Sequence, residues 1–245
     1  MSGDTSASPS ASQRRSAPRT AVVWDVLDPL LGMGDRPLDV VDIGGGTGGS
    51  AVRVAGMGHR VTVVDPSPDA LAALSRRATE LGVEVAGHQG DVTDLRALVG
   101  EDGADLVLCH GVLEVVDDPG AALAAIRETL RPAGHLSLLV AQRHAAVIAR
   151  AMAGHFGQAR ELLDDVSSAG RTGRRFTVDE ARALLAEAGF AVADTHGIRV
   201  FADLVPGSLL DSEPGAAAAL VDLERAVTQR PEYLPLATQV HLLAH

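Results

Sequence analysis

From Pro18 the apolar positions Val22, Val23, Val26, Leu27, Leu30 and Leu31 recur three and four residues apart, and Gly32 and Gly34 follow as stops. That spacing predicts an amphipathic lead-in helix over 17–34. The pattern then changes to short, continuous apolar runs with helical stretches between them. Runs at 38–43, 61–64, 83–86, 105–109 and 135–140 predict strands, and 49–57, 68–81 and 119–130 predict helices. Strands that are apolar on both faces call for a parallel sheet covered by helices on both sides, in an α/β fold. Ligands of such sheets bind beyond the carboxyl ends of the strands.

Beyond Val140 the spacing predicts helices at 145–154 and 159–165, a Gly/Ser/Arg-rich loop at 167–175, and a helix at 178–188. A strand at 191–200, a helix around 216–227 and a strand at 236–243 complete the chain. Residues 17–245 read as one domain in which 141–190 form a substrate-side insertion of helices and loop. Residues 1–16 are mostly Ser, Ala, Gly and Pro with no apolar periodicity, and they predict a disordered tail.

The 245 residues are 46% hydrophobic and 22% charged, which is material for a packed core and no more. No apolar run approaches the length of a membrane span, and no apolar stretch follows Arg14 and Arg15 as a secretory signal would require. Only Cys109 is present, so no internal disulfide can form, and the chain reads as cytoplasmic. Lysine is absent, which excludes Schiff-base and Walker-type lysine chemistry, and the net charge is −11. A nucleic-acid partner would therefore need a local arginine patch working against the global field. The histidines show no zinc-ligand spacing, and no metal is expected.

The chemistry is concentrated in Val40-Val41-Asp42-Ile43-Gly44-Gly45-Gly46-Thr47-Gly48-Gly49, a strand that runs into glycines and then a helix. Such a loop brings backbone N–H groups close to a ligand at a helix start. Asp65 ends the second strand in Val64-Asp65-Pro66, placed to accept both hydroxyls of an adenosine ribose. Gly44, Gly46 and Gly49 fit a dinucleotide loop, and Gly44, Gly46 and Gly48 fit a GxGxG loop, so the glycines alone leave both open. Gln89-Gly90-Asp91-Val92 then places an acid beyond the third strand, suited to an adenine amino group.

With these pieces in order the sequence resembles the class I S-adenosylmethionine-dependent methyltransferases over about residues 36–145. The resemblance implies a Rossmann-like sheet of seven strands with the last antiparallel. A narrower likeness, to the bacterial tRNA 5-carboxymethoxyuridine methyltransferases, is carried by several separate pieces. They are Arg19 with Val23-Trp24-Asp25, Cys109-His110-Gly111-Val112-Leu113-Glu114, Leu130-Arg131-Pro132, Gly154-His155-Phe156, Gly197-Ile198-Arg199-Val200-Phe201, Leu223-Glu224 and Pro231-Glu232-Tyr233. By that likeness Arg19, Gly44, Gly45, Asp65, Asp91, Val92 and His110 hold S-adenosylmethionine, with Arg19 on the methionine carboxylate. Where the family's basic loop carries lysines, this chain has Arg171, Arg174 and Arg175.

His110, at the end of its strand, is either a contact to cofactor or acceptor, and so a catalytic candidate, or a strand-end cap. Arg199 is either a solvated edge charge or a bidentate clamp for a substrate carboxylate. Gln142, Arg143 and His144 follow the fifth strand within reach of the pocket, as substrate-side candidates. Glu114 and Asp117 read as a helix-start acid pair. The expected activity is methyl transfer to a carboxylate, in tRNA by resemblance or on a small metabolite. A carboxylate is ionised at neutral pH and needs no base, whereas a hydroxyl acceptor would need His110 or His144. A nicotinamide oxidoreductase and a non-catalytic cofactor-binding adaptor are the readings from other classes.

Overall fold

The computed structural model describes residues 11–34, 36–164 and 173–245, excluding the side chains of 11–19, 164 and 212. Helix α1 (Ala11–Gly32) starts six residues inside the expected tail; residues 1–10 lie outside the described residues. Its periodic face, Val22, Val23, Leu27 and Leu31, is buried. Asp25 pairs with Arg225 at 2.7 Å, which ties α1 to α10 (Ala216–Val227).

Strands β1 (Asp39–Ile43), β2 (Arg60–Asp65), β3 (Ala86–Gln89), β4 (Ala104–His110), β5 (Leu130–Ala141), β6 (Val192–Ile198) and β7 (Gln239–Ala244) form one sheet. Its order is β3-β2-β1-β4-β5-β7-β6. The first five strands are parallel, and β7 runs antiparallel to both β5 and β6, as the resemblance implied. Successive side chains of a strand point to opposite faces. In β1 and β4, Val40, Leu106 and Leu108 pack with α1, α2 (Gly49–Gly56) and α3 (Pro68–Leu81). Their neighbours Val41, Ile43, Val107 and Cys109 pack on the other face with α5 (Pro119–Thr129) and α8 (Val178–Glu187).

Three strands start three or more residues away from where the spacing places them, the last at Gln239 after a 3-10 turn at Leu234–Leu236. The third strand is the exposed edge segment 86–89, while Val83 and Val85, expected within it, pack onto the core from the preceding turn. The fifth begins at Leu130, because it pairs with Ala104 before a register shift and again from His135 against Leu106. Short helices α4 (Leu95–Leu98) and α9 (Gly207–Ser212) fill connections that carried no signal. Helices α6 (Arg143–Met152) and α7 (Phe156–Asp164) match the predicted pair within a few residues.

Candidate active site

The carboxyl ends of β1, β2 and β4 open onto a cavity of about 560 Å³. Ile43, Gly44, Val64, Asp65, Pro66, Asp91, Val92, Thr93 and His110 border it, with the 111–122 segment closing one side. Glycine loop and acids, read as one signature in the sequence, thus meet in one place. The loop is fastened from below: the Gly44 N–H donates to the Val64 carbonyl at 2.8 Å, and the Gly46 N–H donates to Asp65 Oδ2 at 2.9 Å. Asp65 Oδ1 accepts from the Ser67 N–H at 2.8 Å, so the buried carboxylate joins the glycine loop to the start of α3.

Asp91 caps the 3-10 turn Val92–Asp94, accepting from Thr93 N–H at 2.7 Å and Thr93 Oγ1 at 2.6 Å. These donors, the hydroxyl first, hold its carboxyl below the usual range. Val92 is buried and forms an apolar wall. Asp42 stands behind the loop: a Cβ on Gly45 would lie 2.7 Å from Asp42 Oδ2. Burial, reinforced by the nearby Asp65 charge, pushes the Asp42 carboxyl up to about 7.

This raised value predicts a pH effect. An acid with pKa about 7 folded and 3.8 unfolded binds more protons in the native state, so its contribution to stability falls as pH rises through that window. Asp42→Asn removes the effect. The variant should gain on the order of 3 kcal/mol relative to the parent between pH 4 and 8. Urea denaturation of both proteins across that range checks it; parallel stability curves would show Asp42 to be ionised throughout.

His110 is half-buried and its Nε2 lies 2.8 Å from Ser137 Oγ. Burial pulls its pKa down to about 4, so it is neutral at physiological pH. Cys109, beside it, is completely buried and its thiol is pushed up by burial, then by Glu114 and Asp42. It is an inert core residue.

The remaining sequence candidates lie elsewhere. Arg19 is on α1, but its side chain lies outside the described residues, as does Arg171 entirely. Gln142 is fully buried and spent on structure: Oε1 caps α6 through the His144 N–H, and Nε2 donates to the Leu234 carbonyl at 2.9 Å. Arg143 is buried against Glu180, its Nη2 at 2.8 and 2.7 Å from the two carboxylate oxygens. His144 is exposed at the start of α6 and borders neither this cavity nor the one described next. Glu114 starts no helix. Its Oε1 accepts from the Ala141 N–H at 2.6 Å, its Oε2 has no partner, and Asp118 is the acid that caps α5.

Arg199 is a non-glycine residue with φ 62°, and its guanidinium is engaged by Asp203 at 2.5 Å and Gln239 at 3.3 Å. The fork expected to clamp a substrate is thus already taken by a carboxylate of the chain. A second cavity, of about 450 Å³, adjoins the carboxyl end of β5 and is bordered by Arg150, Arg175, His155, Phe201, Asp203 and Leu204, among others. Among the described residues neither Arg150 nor Arg175 offers its guanidinium to a hydrogen bond or ion pair. Burial, then repulsion from Arg150, lowers the Arg175 pKa; Glu114 partly offsets this. Arg174 instead pins the 111–118 segment, through its N–H to the Glu114 carbonyl at 2.7 Å and its Nη1 to the Val116 carbonyl at 3.3 Å.

Glu224 is fully buried, accepting from the N–H groups of Val200, Phe201 and Ala202 at 2.9, 2.8 and 2.7 Å. It shapes the loop that walls the second cavity. Arg150 escaped the sequence reading because its availability depends on what folding leaves unpaired near it. Ser137 and His241 did leave a signal, as polar residues interrupting the runs Leu136-Ser137-Leu138 and Val240-His241-Leu242.

The glycine cradle, the acid at the end of β2 and the acid beyond β3 fit an adenosyl cofactor. Gly46 leaves open space where a Cβ would stand, its nearest neighbour being the Gly44 carbonyl at 3.9 Å. Sheet order and site together define a class I S-adenosylmethionine-dependent methyltransferase. Residues 40–134 match the family described as methyltransferase domain. The tRNA 5-carboxymethoxyuridine methyltransferases of Escherichia coli K12 and O157:H7 are 29% and 30% identical to the chain. Each alignment covers 92% of this chain and 87% of the relative. The chain belongs to the family of these enzymes. In fold it is similar to a Burkholderia thailandensis 1,6-didemethyltoxoflavin-N1-methyltransferase solved with S-adenosylhomocysteine: TM-score 0.54, 21% identity, covering 94% of this chain and 77% of that one. Of the two readings of the glycine loop, the S-adenosylmethionine one therefore holds. Among the described residues no helix is long and apolar enough to cross a membrane, and no three His, Cys, Asp or Glu are grouped to hold a metal.

Proposed function

We propose that the chain methylates a carboxylate carried by a tRNA nucleoside, the acceptor class named for its full-length relatives. The observation that supports this reading is the second cavity. Two half-buried arginines, whose guanidinium groups have no hydrogen bond or ion pair among the described residues, repel each other, and a bound anion removes that cost. Arginine's planar fork matches carboxylate and phosphate oxygens, and Phe201 offers a face on which a base can stack. Glu114 contacts Ala141 and acts electrostatically on Arg175, while its neighbours Val115 and Val116 border the cofactor cavity, so the two cavities adjoin through one short segment. S-adenosylmethionine supplies an already activated methyl group. The protein's work is then to align acceptor and cofactor and to keep water away. The acceptor carboxylate is ionised at neutral pH and asks for no base.

Arg150 and Arg175 take over the anion-binding role that the sequence suggested for Arg199. The Arg150→Ala/Arg175→Ala double variant should raise KM for tRNA by roughly 10–100-fold with little change in kcat, since the lost hydrogen bonds to a charged group cost about 1.5–3 kcal/mol in all. It should also flatten the dependence of KM on salt, because fewer counterions are released. Transfer of labelled methyl from S-adenosylmethionine, partitioned between the RNA and small-molecule fractions of an extract, tests the acceptor itself. Label confined to small molecules would exclude tRNA and leave a metabolite carboxylate as the acceptor.

A further inference from the structure

A row of polar side chains crosses the sheet beneath the cofactor cavity. His110 on β4, His241 on β7 and His196 on β6 lie in register through Leu139 of β5, and Ser137 is two residues before Leu139 on the same face. Ser137 Oγ is 2.8 Å from His110 Nε2 and 2.8 Å from His241 Nε2. A hydroxyl has one proton and cannot donate to both rings, so at least one imidazole carries its proton on Nε2 and donates to Oγ.

Burial decides which. His241 is completely buried and its Nδ1 has no partner among the described residues. A proton there would be a buried donor facing nothing, and bare donors are rarer and costlier in protein interiors than bare acceptors. We propose that His241 donates from Nε2 to Ser137, that Ser137 donates to His110 Nε2, and that His110 in consequence presents an N–H at Nδ1 to the cofactor cavity. The geometry supports the last step. Among the described residues Nδ1 of His110 has no partner, yet it is not one of the buried unpaired nitrogens, and the cofactor cavity is the open space that His110 borders.

His110 is then a hydrogen-bond donor with its free lone pair already occupied, and not a general base. The group it meets in the cavity is an oxygen acceptor, a carboxylate above all, of cofactor or substrate. Ser137 and His241 are positioning residues, which orient the donor without touching a ligand. Burial of both rings, which disfavours the imidazolium, keeps the relay neutral at physiological pH. The proposal stands on the cofactor cavity and does not depend on which acceptor is methylated.

Long-range proton–nitrogen NMR of the histidine-labelled, cofactor-free protein at neutral pH reads each tautomer directly. His110 is expected with its proton on Nδ1 and His241 with its proton on Nε2. Ser137→Ala should release His110 to a mixture of tautomers. His241→Gln, whose amide keeps a donor near the same place, should leave His110 on Nδ1 and serves if the alanine variant folds poorly. Saturating the parent with S-adenosylhomocysteine should move the His110 Nδ1 resonance. A His110 proton on Nε2 in the parent, or a Ser137→Ala spectrum with His110 unchanged, overturns the relay. A resonance that does not move on saturation overturns its assignment to the cavity.

Discussion

Gly48→Ala should lower stability by about 2–5 kcal/mol, combining roughly 1–2 for an L-residue held in the left-handed region with roughly 1–3 for an overpacked core. Gly48 has φ +76°, and its Cβ would lie 2.1 Å from Leu74 Cδ1. Leu74 cannot swing away freely, because it is 2% exposed and sits in the core cluster with Val52, Val63 and Ala78. At about 2–4 °C per kcal/mol for a chain of this size, Tm should fall by roughly 4–20 °C. Gly46→Ala is the internal comparison. It has φ +56° but open space at its Cβ, so it should cost only the backbone strain while losing affinity for S-adenosylhomocysteine. Thermal denaturation of the two variants side by side gives the result. Equal losses of stability would mean that the glycines do not divide into one that shapes the fold and one that makes room for the cofactor.

Asp65→Ala should weaken S-adenosylhomocysteine binding by about 10–150-fold, equivalent to roughly 1.5–3 kcal/mol for hydrogen bonds to a charged acceptor. Two effects add. The ribose is expected to lose a carboxylate partner, and the Gly46 and Ser67 N–H groups lose the acceptor that fastens the glycine loop to the start of α3. The loop should therefore loosen even without cofactor, with faster amide exchange at Gly46. Isothermal titration on the folded variant measures the affinity, and an unchanged value would remove Asp65 from the site.

Both predictions concern residues that the sequence had already singled out. A glycine loop between a strand and a helix, with an acid at the end of the next strand, is a local arrangement written in consecutive residues. Asp91 and Val92 were legible for the same reason. Of the arginines proposed to hold the acceptor, only Arg175 was named from the sequence, as part of the basic loop. Arg143 and Arg199 stand after strand ends as the sequence suggests, but folding brings Glu180 to one and Asp203 to the other. Arg150 and Arg175 come together from α6 and from the loop before α8, and they are proposed as an anion site because no such partner reaches them among the described residues. A cation's availability depends on which charges reach it, and that is a property of the packed molecule.

The sequence by itself determined the alternation of strands and helices, the place of the cofactor loop and the family. These depend on periodicity and on backbone freedom within a few residues of each other. Only the tertiary structure decided where β3 pairs, which charges remain unmatched and how His110 is oriented. Ser137 is 27 residues from His110 and 104 from His241 along the chain. Strand order β4-β5-β7 makes them neighbours, and a single hydroxyl proton, placed between the fully buried His241 and the cavity-bordering His110, then sets the direction of the row.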